Sequence, residues 1–313
     1  MRSILLSIVL IAAMNSSAQN EVILHINHLV NDAPFSLNEP VSISGEYELE
    51  FVRMEYYLSD FTITHDGGQQ TFLDETHLLV DANGESEYSL GTWDIDNVEA
   101  ISFSVGVDEA HNHLDPATYS MGHPLAPQFP SMHWGWASGY RFVAAEGETG
   151  VNFTSDWQIH ALGDNNFFSQ SHDMSFSANS GYLDLWLDAN YEEMFNELDV
   201  SSGLIEHSDT DEAIDLLENM RDHVFAAGQP VGVSDHEWIG LNAFPNPAND
   251  QIRVVGVPAD SQVEVLDLQG AIVRSIQPNG LALIDVQDLA NGLYFLRIQN
   301  GGAQKTIKVQ IKH

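Results

Sequence analysis

Apolar residues in this chain come in short alternating runs, and clusters of Gly, Asn or Asp separate them. Val22–Leu29 (VILHINHL) and Ala100–Val107 (AISFSVGV) follow the period of two that a half-buried strand requires, and Glu50–Ile63 has the aromatic and β-branched content of a sheet. Val41–Gly45, Gly139–Ala145, Asp156–Leu162 and Ser180–Leu187 are further strand candidates, and Thr71–Val80 reads as a strand pair or one bulged strand. Gly67-Gly68 and Asp81-Ala82-Asn83-Gly84 supply turns. One segment breaks the rule. Ser208–Ala226 spaces Ile214, Leu217, Met220 and Val224 at helical intervals, with Asp209 and Asp211 in its first turn and Gly228 and Pro230 beyond its end. The pattern predicts an all-β chain whose main domain, residues 20–228, is an immunoglobulin-like β-sandwich with one helix near its end.

The flanking segments differ in kind. Residues 1–19 pair Arg2 with an apolar stretch from Ile4 to Met14 and a small-residue site ending at Ala18, the pattern of a secretory signal. Such a chain leaves the cytoplasm, yet it has no Cys, so disulfides cannot staple it and thiolates cannot bind metal. Residues 229–240 read as a linker. Residues 241–313 alternate again, at Ile252–Val255, Val263–Leu268, Leu281–Asp285, Gly292–Gln299 and Thr306–Ile311, and predict a small antiparallel β-sandwich.

Charge divides the chain at the same place. Residues 1–240 carry 40 Asp plus Glu against four Arg and no Lys, whereas residues 241–313 carry six acidic and six basic groups. A surface that negative repels nucleic acid and anionic membranes and favours cations. No segment of the mature chain is apolar enough for a transmembrane helix.

Chemistry concentrates between Gly106 and Gly147, which hold four of the 14 His and two of the six Trp. Asp108, Asn112 and Asp115 offer oxygens suited to a hard cation such as calcium, although Asp and Asn also cap turns. Trp134 and Trp136 lie two apart, so in extended backbone they share a face, and the simplest use of two such rings is core packing.

Two resemblances sharpen this reading. Phe244-Pro245-Asn246-Pro247-Ala248, Glu264–Gly270 (EVLDLQG), Asp285–Ile298 and the terminal KTIKVQIKH make residues 241–313 similar to the sorting domain of the type IX secretion system. That implies the type IX machinery as a partner and a product that is secreted or attached to the outer-membrane surface. Arg53–Phe61 (RMEYYLSDF), His77–Ala82, Ile101–Asn112, Leu114–Pro116, Met132–Gly147 (MHWGWASGYRFVAAEG) and Ile159–Gly163 make the acidic domain resemble the MbnP family, exported β-rich proteins linked to copper. Among the histidines in or beside motifs of that family, counting VNDAPFSL just after His28, the expected metal ligands are His28, His77 and His160. His25, His111, His113, His123 and His133 stand in reserve, with Met121 and Met132 as thioether donors. The resemblance further implies that Trp134 or Trp136 is a substrate for oxidation by a di-haem partner enzyme of the MauG-like class.

The expectation is therefore an exported copper-binding protein for capture, storage or delivery. A surface structural or adhesion module without a specific metal is the alternative, and a copper-dependent redox enzyme the third. An enzyme is the weaker reading, because no GxSxG, HExxH or glycine-rich phosphate loop occurs.

Overall fold

The computed structural model describes residues 19–84, 86–230, 241–257, 261–278, 282–300 and 303–313. The expected signal segment and most of the expected linker lie outside the described residues. Fourteen strands precede residue 230. They are β1 (Asn20–Val30), β2 (Ala33–Pro34), β3 (Val41–Ile43), β4 (Tyr47–His65), β5 (Gln69–Leu73), β6 (Leu78–Asp81) and β7 (Glu87–Trp93). After them come β8 (Asn97–Val105), β9 (Val143–Thr149), β10 (Ser155–Ala161), β11 (Ser169–Ser177), β12 (Tyr182–Asn190), β13 (Leu204–Ser208) and β14 (Phe225–Ala227). Two α-helices join them, the single turn α1 (Glu109–Asn112) and α2 (Glu212–Asn219).

These strands form two sheets. One has the order β14-β12-β1-β2 with β7 also paired to β1, and the other runs β11-β8-β4-β9-β10-β13 with β3, β5 and β6 also paired to β4. The larger sheet is mixed, because β13 runs parallel to β10 while β9 is antiparallel to it. The chain divides into two compact units. One gathers Ser36–Leu185, the segment ending at His25 and Phe195–Asp222; the other gathers Ile26–Phe35, Trp186–Met194 and His223–His313.

In the first unit the core is aromatic. Trp157 on β10 is fully buried and meets Phe51 of β4 and Phe195 edge-on, each at a centroid distance of 5.3 Å. Gly147 of β9 allows this: a Cβ there would overlap the Glu50 carbonyl and the Trp157 indole. The fully buried Tyr56, Phe61 and Phe103 line the same sheet.

The expected helix over 208–226 is shorter. Ser208 Oγ bonds the backbone of Thr210, and Asp211 takes a positive φ of 50°, so the α-helix opens only at Glu212. It passes into a π-helical turn, Met220–Val224, and then into β14. The buried stripe is Ala213, Leu216, Leu217, Met220 and Val224, while Ile214 is only partly buried. Strand β9 starts at Val143 rather than Gly139, because the preceding residues are spent on a turn around Gly135.

The C-terminal region holds β15 (Asn242–Phe244), β16 (Gln251–Val255), β17 (Gln262–Leu266), β18 (Ile272–Ile276), β19 (Ala282–Asp285), β20 (Gly292–Asn300) and β21 (Ala303–Ile311). They build a three-stranded sheet, β15-β16-β19, and a four-stranded sheet, β18-β17-β20-β21, in which neighbouring strands run antiparallel. Ile252, Val254, Val265, Ile284, Leu296 and Val309 belong to one buried cluster. Among the described residues no helix is long and apolar enough to cross a membrane.

Candidate metal centre

Three elements bring His77, Asp108 and His111 together. His77 sits immediately before β6 and is buried. Asp108 follows β8 and caps α1, accepting a bond from Ala110 N at 3.1 Å. His111 lies one turn on, where i,i+3 spacing returns it to the face of Asp108. Asp108 Oδ2 lies 2.8 Å from His77 Nε2 and 2.8 Å from His111 Nδ1. The two rings meet edge-on at 4.7 Å. Burial works to raise the Asp108 pKa, but the hydrogen bonds from His111 and His77 outweigh it and hold the carboxyl below its ordinary value.

One donor atom from each of these three residues lies within 4.8 Å of the others. A single ion with bonds of about 2.0–2.2 Å can close that span with small side-chain shifts. Two imidazoles and a carboxylate suit copper, zinc and other borderline divalent ions. The residues present thus fit a copper ion without needing sulfur.

A cavity of 790 Å³ opens beside this cluster, lined by Leu78, Tyr88, Tyr119, His123, Pro124 and Gln128 among others. His123 lies with its ring 6.5 Å from that of His77 and stacks on Tyr119 at 4.5 Å. Burial lowers its pKa first, and the neighbouring His77 and His111 add to that.

A second cluster forms where β10 and β13 run in parallel register, His160 opposite His207. Their rings stack at 4.1 Å and 5°. Both nitrogens of His160 are engaged: Nε2 lies 2.9 Å from Glu146 Oε1, and Nδ1 accepts from Arg141 Nε at 3.2 Å. Arg53 also donates to Glu146, at 2.9 Å. The Arg141 guanidinium lies 4.4 Å over the Trp134 ring, which meets His207 edge-on at 5.0 Å. His207 Nε2 is buried without a hydrogen-bond partner among the described residues.

The remaining expected site residues have other positions. His77 stands with Asp108 and His111, while the other two expected ligands each have partners of their own. His28 is on β1, with Nδ1 2.6 Å from Tyr191 Oη, and His160 belongs to the stacked pair. His25 is buried, 2.6 Å from Asp184. His113 lies 2.9 Å from Asp164 and 2.8 Å from the Trp136 carbonyl. His133 pairs across a bridge with Tyr140, and its Nδ1 accepts from Gly135 N. Met132 is buried with its sulfur accepting from Arg53 at 3.2 Å, whereas Met121 is fully exposed.

The oxygens of the expected hard-cation set are dispersed. Asn112 bonds Asp164 and Tyr140 N, and Asp115 caps the turn that starts at Pro116. Only Asp108 of the three joins the metal cluster. The two tryptophans diverge, because Gly135 between them has a φ of 117° and starts a turn. Neither belongs to the core: Trp134 is 39% exposed and Trp136 76%. Sequence reasoning missed His207, on a strand too weakly patterned to notice, and it split Asp108 and His111 between two different sets.

A secretion system C-terminal sorting domain matches residues 242–312, so the protein is secreted or attached to the cell surface through that system. Over 26% of this chain and 13% of the other, it is similar at 18% identity and a TM-score of 0.24 to PorZ, a bacterial surface component of the type-IX secretion system of Porphyromonas gingivalis. MbnP from Methylosinus trichosporium is similar at 14% identity and a TM-score of 0.41, over 59% of this chain and 80% of that one. Among curated proteins nothing matches. The MbnP family matches residues 19–211, more than half of the chain, and the chain therefore belongs to the MbnP family.

Proposed function

We propose that this is an exported copper-binding protein that captures the ion at His77, Asp108 and His111 for storage or delivery. The observation that carries the reading is the convergence of two imidazoles and one carboxylate, with donor atoms within 4.8 Å, in the domain that matches the MbnP family. The acidic surface, part of a net charge of −36, raises the local concentration of cations over the short range that salt allows. Copper bound there supplies an exchangeable metal. The residues themselves hold the Asp108 carboxylate between two imidazole nitrogens.

We further propose an oxidising di-haem partner that acts on a tryptophan. Trp136 is the more exposed ring, while Trp134 lies against imidazoles, where oxidation changes the surroundings of His207. The test of the main reading is a copper titration of the mature chain. One ion per chain is expected, lost in His77→Ala and in His111→Ala and kept in His28→Ala. Parent binding no tighter than millimolar, or retention in both cluster variants, overturns it. Intact mass after co-expression with a di-haem oxidase reads the tryptophan separately: unchanged mass counts against the partner alone.

A further inference from the structure

We propose that the cavity walled by the loop from Ala117 to Gln128 binds an uncharged, planar aromatic molecule that carries a carbonyl oxygen. This site stands independently of the metal reading above.

The cavity has a volume of 790 Å³, within the range that encloses a small organic ligand. Its lining breaks with the rest of the chain. The net charge is −36, yet among the described residues no Asp, Glu, Lys or Arg lines the space. Leu78 and Leu79 of β6, Tyr88 of β7 and the loop residues Ala117, Pro124 and Pro127 supply its apolar surface. A charged ligand would leave its hydration there and meet no counter-charge, whereas an uncharged ring loses little.

The loop is held in place before any ligand arrives. Two core phenols anchor it: Tyr57 donates to the Pro124 carbonyl at 3.1 Å and Tyr140 to the Leu125 carbonyl at 2.6 Å. Gln128 Nε2 also donates to the Pro124 carbonyl, at 3.1 Å, and Leu125 and Ala126 are buried. A site built this way needs little ordering on binding.

Tyr119 and His123 give the ligand its chemistry. Both line the cavity, and their rings stack at 4.5 Å and 21°, an aromatic surface suited to a further flat ring. The Tyr119 hydroxyl is shielded from solvent and has no hydrogen-bond partner among the described residues. A buried hydroxyl left unpaired is costly, so a ligand oxygen that accepts from it gains what the free protein lacks. His123 Nδ1 accepts from Leu125 N at 3.1 Å, which leaves the proton of the neutral ring on Nε2. Both groups can donate, and a carbonyl oxygen can accept from either. Met121 also lines the cavity and is fully exposed. Its flexible thioether gains apolar contact when a ring fills the space beside it.

The test titrates the mature full chain, with no metal added, with Prodan, an uncharged naphthyl ketone whose emission moves to the blue when it leaves water. Saturable, blue-shifted emission at one probe per chain is expected. Anilinonaphthalene sulfonate, an anion of similar ring size, should bind roughly 10-fold more weakly or worse. Ala117→Trp fills the space from an exposed position and should abolish binding, and Tyr119→Phe should weaken it roughly 3- to 10-fold. A second reading needs no variant: in the parent with isotope-labelled methionine methyls, Prodan should shift the Met121 signal and leave that of the buried Met132 in place. Sulfonate binding as tight as that of the ketone, retention in Ala117→Trp, or an unmoved Met121 signal overturns the proposal. Equal affinity in Tyr119→Phe means that water alone satisfies the hydroxyl, and it overturns the carbonyl assignment. If copper binds and Prodan does not, only this inference fails; if Prodan binds and copper does not, only the metal reading fails.

Discussion

The two histidine clusters in the acidic domain hold equal numbers of imidazoles but opposite surroundings. His77 and His111 share a carboxylate, with Glu75 3.6 Å from the far nitrogen of His111. Arg141 donates to His160 of the stacked pair, and a second arginine, Arg53, stands behind the Glu146 carboxylate that His160 contacts. A cation brought to the first pair replaces hydrogen bonds to an acid that welcomes it. At the second it meets Arg141, and either nitrogen of His160 is already hydrogen-bonded. What makes a histidine pair a metal centre is thus the charge between and behind the rings, and stacking at 4.1 Å serves packing equally well.

The largest effect that separates the clusters should come from Asp108→Ala. Calorimetric copper titration is expected to show affinity falling by ~100-fold or more, against little change in His160→Ala. Equal losses in the two variants would erase the distinction.

Next in size is acid stability at the second cluster. The hydrogen bond to His160, then Arg53, holds Glu146 down from 4.5 to about 2. A carboxyl lowered in the folded state stabilises fully above its unfolded value and loses that contribution as pH falls through the folded one. Urea midpoints should therefore drop between about pH 4.5 and 2 in the parent, by an amount on the order of 1–2 kcal/mol after solvent screening. Glu146→Gln should flatten that limb. An unaltered slope would show that the network contributes nothing to acid resistance.

A smaller effect tests Arg141. Burial, the His160 ring and Arg141 depress the His207 pKa. In Arg141→Met the NMR titration of His207 should move upward, and a downward or absent shift would mean that burial alone sets it. The smallest effect belongs to His113, whose pKa is raised above 6.5, chiefly by its hydrogen bond with Asp164. Its stabilisation is complete below 6.5 and disappears as pH rises through the folded-state value. Asp164→Asn should return the His113 titration toward normal; if it does not, the contact to the Trp136 carbonyl is the controlling one.

The strands with clean alternation, such as Ala100–Val107, were legible in the sequence because one sheet face needs apolar side chains at every second position. β7, β11 and β13 were not, since their exposed faces and shorter apolar content leave little period to read: β13 has no fully buried residue. The candidate centre was legible as a crowd of donors between Gly106 and Gly147. Its composition was hidden, because His77 comes from 31 residues before Asp108 and only the pairing of strands makes them neighbours. The turn at Gly135 likewise hid the divergence of the two tryptophans, which extended backbone would have kept on one face.

Strand β4 pairs with β3, β5, β6, β8 and β9. Its partners extend along the chain from Val41 to Thr149. A chain delivered from its N-terminus cannot finish this sheet until Thr149 has emerged, and β10 and β13 must then add outside β9. Such non-local pairing makes closure slow. During that interval the domain exposes strand edges, so the strand that organises the finished sheet also sets how long the newly exported chain stays vulnerable to aggregation and proteolysis.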